Sequence, residues 1–286
     1  MTYSQVYTFA KDILKNANIA DYVTSVSLIF EHCFKMSRRD FPIYAQVKVP
    51  DNLCEVFFEL INKRKSHYPL QYILGKWDFM GRTYEVGEGV LIPRYDTEVL
   101  VHICIKFLNQ FKNDEQLNVL DLCSGTGIIA ITLAKQFKNI NVFAVDFYDE
   151  AVKYLERNIK KHSVSNVKII KHDILLDIFP HELIKNKFKL IVSNPPYIET
   201  SKITFLEKEV KKEPKTALDG GPDGLIFYKA ILKNWKKLLC QGAGLCVEIG
   251  VNQKGSVREL FKINGFNSIE VINDLNNTPR VVFGMA

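Results

Sequence analysis

The sequence predicts an α/β fold, a doubly wound sheet preceded by a small helical bundle and a β-hairpin linker. Three observations predict it. From Leu117 onward, short apolar runs alternate with helical stretches, the pattern of a parallel sheet with helices on both faces. The last two apolar runs, 268–272 and 280–283, are joined by too few residues for a helical crossover, so they should pair antiparallel. In the first ~65 residues apolar residues recur at helical spacing.

The elements follow in order. Val6, Phe9, Ile13 and Leu14 mark one helix, and Val26, Ile29, Phe30, Cys33 and Phe34 a second that Asp21 is placed to cap. Pro50-Asp51 precedes a third, with Val56, Phe57, Leu60 and Ile61 on one face. Three such helices bury their stripes against one another. No catalytic cluster occurs among them, so this region is read as binding or positioning. Residues 78–80 and 83–86 then flank Gly81-Arg82, a hairpin-like signature. Strands are expected at 118–122, 141–145, 167–170, 190–192 and 244–249, with helices such as 128–137 and 150–160 between them. The expected domains are a helical bundle over 1–75, a hairpin linker over 76–92 and the α/β domain over 93–286.

Composition narrows the class. With 286 residues, 47% of them hydrophobic and 24% charged, the chain is a soluble globular protein, not a disordered chain, a collagen or a coiled coil. No apolar run reaches the ~18 residues of a membrane span, and residues 1–20 lack the character of a signal or transit peptide. The 6 cysteines form no C-x-x-C pair, which fits a reducing cytoplasm and argues against a zinc site. Net charge is +6, but residues 1–90 carry 11 Lys+Arg against 10 Asp+Glu, and residues 91–286 carry 27 against 22. An excess this mild reads as a solvated surface, with a surface that meets nucleic acid or a nucleoprotein as the alternative, and residues 1–90 supply no phosphate-binding domain.

Two motifs carry chemistry. Asp121-Leu122-Cys123-Ser124-Gly125-Thr126-Gly127 follows the first strand of the sheet and opens a helix, with Ala130 completing G-x-G-x-x-[G/A] and Asp146 at the end of the next strand. Glycines allow a tight turn and close approach to a ligand, and an acidic group after the second strand can accept both ribose hydroxyls. This describes an adenosine-containing cofactor without choosing between a dinucleotide and S-adenosylmethionine. After the third strand, Ile174 stands where adenine should lie, and His172 reads as a turn residue.

The second motif is Asn194-Pro195-Pro196-Tyr197, at the C-terminal end of an apolar strand, where open α/β sheets place ligands. The prolines fix the backbone and remove two donors. The Asn194 and Pro195 carbonyls and the Tyr197 ring suit a planar NH2 group, holding both hydrogens in plane while the ring stacks on it. An amino nitrogen aimed in this way would attack a sulfonium methyl, so the reading is methyl transfer from S-adenosylmethionine to an exocyclic or amide nitrogen. A dehydrogenase built on Gly125-x-Gly127 would leave the tetrad unexplained and would call for a wholly parallel sheet.

With these motifs in place, the chain resembles the PrmC/HemK family of release factor glutamine N5-methyltransferases. The resemblance runs through 69–75, Ile92-Pro93-Arg94 within 91–98, 121–127, Asp146, the tetrad, Glu213-Pro214, Ala217-Leu218-Asp219-Gly220-Gly221, Glu248-Ile249-Gly250 and Pro279-Arg280. It implies a class I S-adenosylmethionine-dependent methyltransferase, Rossmann-like with seven strands. The product would be S-adenosylhomocysteine, and no metal is implied. The cofactor site falls on Cys123, Ser124, Gly125, Thr126, Gly127, Asp146, Ile174 and Asn194. The substrate clamp falls on Asn194, Pro195, Pro196 and Tyr197, with Asn194, Pro195 and Tyr197 catalytic. The implied acceptor is the Gly-Gly-Gln glutamine of class 1 release factors, methylated by a cytoplasmic monomer with no membrane or nucleic-acid requirement. Tyr95 departs from the proline common after Pro-Arg in relatives. The tetrad is shared with nucleic-acid exocyclic-amine methyltransferases acting on adenine N6 or guanine N2, which form the alternative.

Overall fold

The computed structural model describes residues 1–37 and 39–286. The chain divides into two compact units, Met1–Trp77 with Glu207–Lys212, and Asp78–Leu206 with Glu213–Ala286.

The first unit is helical: α1 (Tyr3–Asn16), α2 (Tyr22–Phe34), the single turn α3 (Phe41–Tyr44), α4 (Asp51–Lys65) and the short α5 (Leu70–Leu74). Its core is Val6, Ala10, Leu14, Val26, Ile29, Phe30, Phe57 and Ile61, with rings of Tyr3, Phe34 and Phe41 packed edge-on around Phe30 or Phe34. The expected stripes shift by a residue or two. Phe9 and Val56 are exposed, and Ala10 takes the inward position on α1. Asp21 stands at the start of α2 but does not cap it. Its carboxylate is taken by the buried Arg64, whose Nη2 donates to Oδ1 at 2.6 Å. The same guanidinium donates to Ser25 Oγ at 2.9 Å and the Tyr68 carbonyl at 3.3 Å, and pairs with Glu209 at 2.8 Å. A charge stronger than any cap has claimed the aspartate.

The hairpin strands are β1 (Lys76–Phe79) and β2 (Arg82–Glu85). Met80 and Gly81 form the turn, one residue earlier than expected, and both have positive φ (47° and 70°), as a type I′ hairpin requires.

The second unit continues with α6 (Thr97–Leu108), β3 (Leu117–Leu122), α7 (Ile128–Gln136), β4 (Ile140–Asp146), α8 (Asp149–Lys161), β5 (Val167–Lys171) and the single turn α9 (His181–Ile184). After these come β6 (Phe188–Ser193), α10 (Ile226–Lys233), β7 (Leu239–Glu248), α11 (Lys254–Ile263), β8 (Asn267–Asn273) and β9 (Pro279–Met285). Its sheet has seven strands in the order β5-β4-β3-β6-β7-β9-β8. The first five are parallel, and β9 runs antiparallel to both β7 and β8, as the short final connection predicts. Both faces are covered, so the inner strands read as continuous apolar runs. Val119, Val142 and Val192 pack with residues of α6 and α7, while Leu120, Val145 and Ile191 pack with Tyr228, Ile231 and Trp235 and with Val257 and Phe261 of α11. The strand order reverses between β3 and β6. Their C-terminal ends, Leu122 and Ser193, are paired, which brings the glycine loop and the tetrad to one crevice.

Candidate active site

The glycine loop is built for that crevice. Cys123 and Gly125 have φ of 61° and 54°, and Gly127 at 81° starts α7. A Cβ on Gly125 would meet nothing within 4 Å, whereas one on Gly127 would strike Leu155 at 2.3 Å. Gly125 therefore leaves room beside the loop, and Gly127 lets α8 pack. Ser124 closes the turn by donating to the Asp121 carbonyl at 2.9 Å. Thr126 offers its carbonyl to Asn158 Nδ2 at 2.9 Å, so the loop is held from behind.

The cavity in front of the loop is lined by Cys123 to Thr126, Asp146, Ile174 and Asn194, together with Leu91, Pro93, Thr97, Phe147, Tyr148 and Phe227. The Asp146 carboxylate accepts from the Gly125 N–H at 2.8 Å and the Tyr148 N–H at 3.2 Å, one on each oxygen. Burial raises its pKa against these amides. Each oxygen keeps acceptor capacity, enough for the two hydroxyls of a ribose. Ile174 is buried and fixed by its own carbonyl, which accepts from Trp235 Nε1 at 2.8 Å. The cavity walls carry apolar residues such as Ile128, Ile129 and Ile174 and two carboxylates, Asp146 and Asp173, with open space over Gly125. The residues present fit an adenosine-containing cofactor.

The tetrad forms part of the rim of this cavity. Asn194 and Pro196 line it; Pro195 is buried and Tyr197 half-buried outside the lining. Asn194 Nδ2 donates to Thr97 Oγ1 at 3.1 Å, and its Oδ1 accepts no hydrogen bond among the described residues. Thr97 Oγ1 donates to Glu248 Oε2 at 2.7 Å, and the Tyr197 hydroxyl donates to Glu248 Oε1 at 3.3 Å. Burial pushes Glu248 up to about 7 and lifts the Tyr197 phenol above its usual range.

The tetrad's backbone is pinned as well. Gln253 Nε2 donates to the Tyr197 carbonyl at 2.9 Å and the Gly224 carbonyl at 3.0 Å. The Ala217-Leu218-Asp219-Gly220-Gly221 segment runs alongside, with Ile198 N–H bonded to the Leu218 carbonyl at 2.9 Å and Gly220 N–H to the Ile198 carbonyl at 2.8 Å. Glu213 is buried, accepts from the Ile92 N–H at 2.9 Å and pairs with Arg94. Asp96 pairs with Arg280 at 2.9 Å. The exposed Tyr95 thus sits between two anchored residues, and the loop does not depend on a proline there. Two segments that carry the resemblance, Ile-Pro-Arg and Glu-Pro, are fastened to each other.

Sequence reasoning missed Thr97, the role of Glu248, Gln253 and the aromatic lining of Phe147, Tyr148 and Phe227. Thr97 and Glu248 lie in segments that carry the resemblance but have no role assigned there, and the exposed pair Phe147-Tyr148 left a local signal, two large aromatics directly after the acidic strand end. Among the described residues, no group of three or more His, Cys, Asp or Glu side chains is arranged to hold a metal ion. Nor is any helix among them long and apolar enough to cross a membrane.

A five-strand parallel sheet ending in this antiparallel pair, with a glycine loop and an acidic strand end around one cavity, is the architecture of a class I methyltransferase. A methyltransferase from Pyrococcus furiosus shares the fold, with a TM-score of 0.51 and 19% identity over 72% of this chain and 90% of that one. Residues 5–75 match the PrmC N-terminal domain family and residues 105–234 the Methyltransferase small domain family. A release factor glutamine methyltransferase of Clostridium botulinum is 37% identical over 94% of this chain and 94% of its own length. Proteins with the same name from Clostridium acetobutylicum and Aquifex aeolicus are 34% and 33% identical, each over at least 94% of both chains. The chain belongs to the release factor glutamine methyltransferase family.

Proposed function

We propose that this chain transfers a methyl group from S-adenosylmethionine to the side-chain amide nitrogen, N5, of the Gly-Gly-Gln glutamine in class 1 peptide-chain release factors. The observation that carries this reading is the Asn194 amide, which lines the cofactor cavity with its NH2 engaged by Thr97 and its carbonyl oxygen left for a ligand. The relatives' names support the choice of acceptor.

Cys123, Ser124, Gly125, Thr126 and Gly127 would cradle the cofactor, with Asp146 at its ribose and Ile174 beside its adenine. When bound, it supplies an electrophilic sulfonium methyl and leaves as S-adenosylhomocysteine. The chain's own residues do the rest. Asn194 Oδ1 and the Pro195 carbonyl accept the two hydrogens of the substrate amide, and Pro196 and the Tyr197 ring confine its plane. A planar nitrogen is a poor nucleophile because its lone pair is delocalised. Holding both hydrogens with carbonyl acceptors would let negative charge build on nitrogen, and the hydrogen that the methyl replaces would leave as a proton to water, so catalysis is positioning and electrostatics.

In this reading residues 1–75 grip the release factor away from its glutamine, 76–92 link, and 93–286 catalyse. The near-neutral charge of residues 1–90 supports a protein partner over a phosphate backbone. The enzyme acts as a cytoplasmic monomer without metal or nucleic acid.

The test is methyl transfer from labelled S-adenosylmethionine to a purified release factor, to the same factor with its motif glutamine replaced, and to DNA and RNA. Label is expected on the intact factor alone; label on nucleic acid would overturn the acceptor. Asn194→Ala should keep cofactor binding while lowering turnover by about 10²–10³-fold, the cost of losing a preorganised polar contact at the reacting group. Undiminished turnover would defeat the clamp.

A further inference from the structure

Glu248 ends β7 at 1% exposure, holding two hydroxyls, one on each carboxylate oxygen. Thr97 Oγ1 donates to Oε2 at 2.7 Å and Tyr197 donates to Oε1 at 3.3 Å. These two donors belong to the two sides of the tetrad: Tyr197 is its last residue, and Thr97 touches its first, accepting from Asn194 Nδ2 at 3.1 Å. A threonine hydroxyl has one proton. Once that proton points at a carboxylate, the oxygen offers only lone pairs to its other neighbour. Asn194 must then give Thr97 its NH2 and turn its carbonyl the other way.

We propose that Glu248 is a positioning residue that sets, through the single hydroxyl of Thr97, which end of the Asn194 amide faces the acceptor, and at the same time anchors Tyr197. This rests on the methyl-transfer reading of the site. The polarity of the chain is the device. With Glu248 ionised, every proton points toward the carboxylate and Asn194 presents an oxygen to the substrate NH2. With Glu248 protonated on Oε2, the carboxylic acid donates to Thr97 and the Thr97 proton turns to Asn194. The amide then rotates, and its NH2 meets the substrate's NH2, donor against donor. No proton enters or leaves beyond the one that binds Glu248.

Several charged or titratable groups face Glu248. Asp96 at the start of α6 raises its pKa, and Arg280 of β9, which pairs with Asp96 and Asp274, lowers it. Tyr197 donates to it, and Tyr228 of α10 donates to its backbone carbonyl at 2.8 Å. Arg94 acts on Tyr197 beside it. Burial dominates, and the carboxyl is pushed up to about 7, so the ionised, active arrangement is lost as pH falls below about 7.

The experiment compares wild type with Thr97→Val, Thr97→Ser and Glu248→Gln. The neutral Gln side chain places its one carbonyl oxygen on only one of the two hydroxyls. Thr97→Val and Glu248→Gln should lower kcat about tenfold or more, with KM for the release factor and Kd for S-adenosylhomocysteine changed by less than about twofold. Thr97→Ser, which keeps the hydroxyl, should restore kcat. A second readout needs no acceptor: the side-chain amide resonance of Asn194, assigned with Asn194→Ala, should titrate near pH 7 in wild type and lose that midpoint in Thr97→Val. The inference is overturned if Thr97→Val keeps its kcat, if Thr97→Ser falls as far as Thr97→Val, or if the Asn194 titration survives the loss of the hydroxyl. Failure of the wild type to methylate a release factor would sink the functional reading instead, and the resonance would still decide the relay. Were Thr97→Val or Glu248→Gln not to fold, the wild-type titration and Thr97→Ser would carry the test.

Discussion

Gly220 marks how closely the second half of the site is fitted to the first. A Cβ there would lie 2.7 Å from Tyr197 Cα and 2.9 Å from the Pro196 carbonyl oxygen, both backbone atoms that no rotamer change can move. Gly220→Ala should therefore open the bridge between Ile198 and Asp219, costing about 1–3 kcal/mol in denaturant unfolding and most of the methyl transfer. Gly125→Ala meets open space and adds only the strain of a φ of 54°, about 1 kcal/mol; a stability loss as large as that of Gly220→Ala would contradict the fit. The contrast explains what sequence alone could reveal. Gly125, Gly127, Asp146 and the tetrad were legible because each motif is local and its spacing fixes its chemistry. Thr97, Glu248 and Gln253 were not. Thr97 and Asn194 meet across 97 residues and Thr97 and Glu248 across 151, so no window of sequence holds the network that aims the amide.

Whole elements were easiest to foresee where burial sets the pattern. The inner strands, apolar on both faces, fell where the runs predicted, and the final antiparallel pair followed from connection length. Misplacements came where a polar or glycine residue carried the structure. β7 begins at Leu239, five residues before the expected run, because Gln241 and Gly242 interrupt its apolar signature while the strand continues through a register shift against β6. α4 shows the polar case: Arg64 reads as part of the basic end of a helix, yet it is 1% exposed and gathers Asp21, Ser25, the Tyr68 carbonyl and Glu209. Arg64→Ala should destabilise the helical unit by about 3 kcal/mol, seen as a lowered midpoint in denaturant. Arg64→Lys should recover little, since one ammonium cannot reproduce the fork that reaches Ser25 and two carboxylates. A full rescue by lysine would reduce the cluster to simple charge.

At the scale of the whole molecule, the crevice at the sheet's switch point carries an electrostatic cost that pH can expose. Asp121, fully buried at the end of β3, accepts from the Ala130 N–H at 3.2 Å through one oxygen, while the other has no partner among the described residues. Burial, helped by the Asp146 carboxylate, pushes its carboxyl from 3.8 up to about 8. The sign follows from proton counts. Between about pH 4 and 8 the folded chain holds a proton on Asp121 that the unfolded chain has released, so stability falls as pH rises through that window and levels off above it. Glu248 acts in the same direction between its ordinary value and about 7. Asp121→Asn keeps an oxygen for Ala130 and removes the ionisation. Its stability relative to wild type should rise by at least about 1 kcal/mol between pH 5 and 8, measured by urea unfolding at several pH values. A gap that stayed constant across that range would mean Asp121 is already ionised in the fold. The carboxylate near the end of β3 would then be a charge the fold tolerates, not a proton it holds.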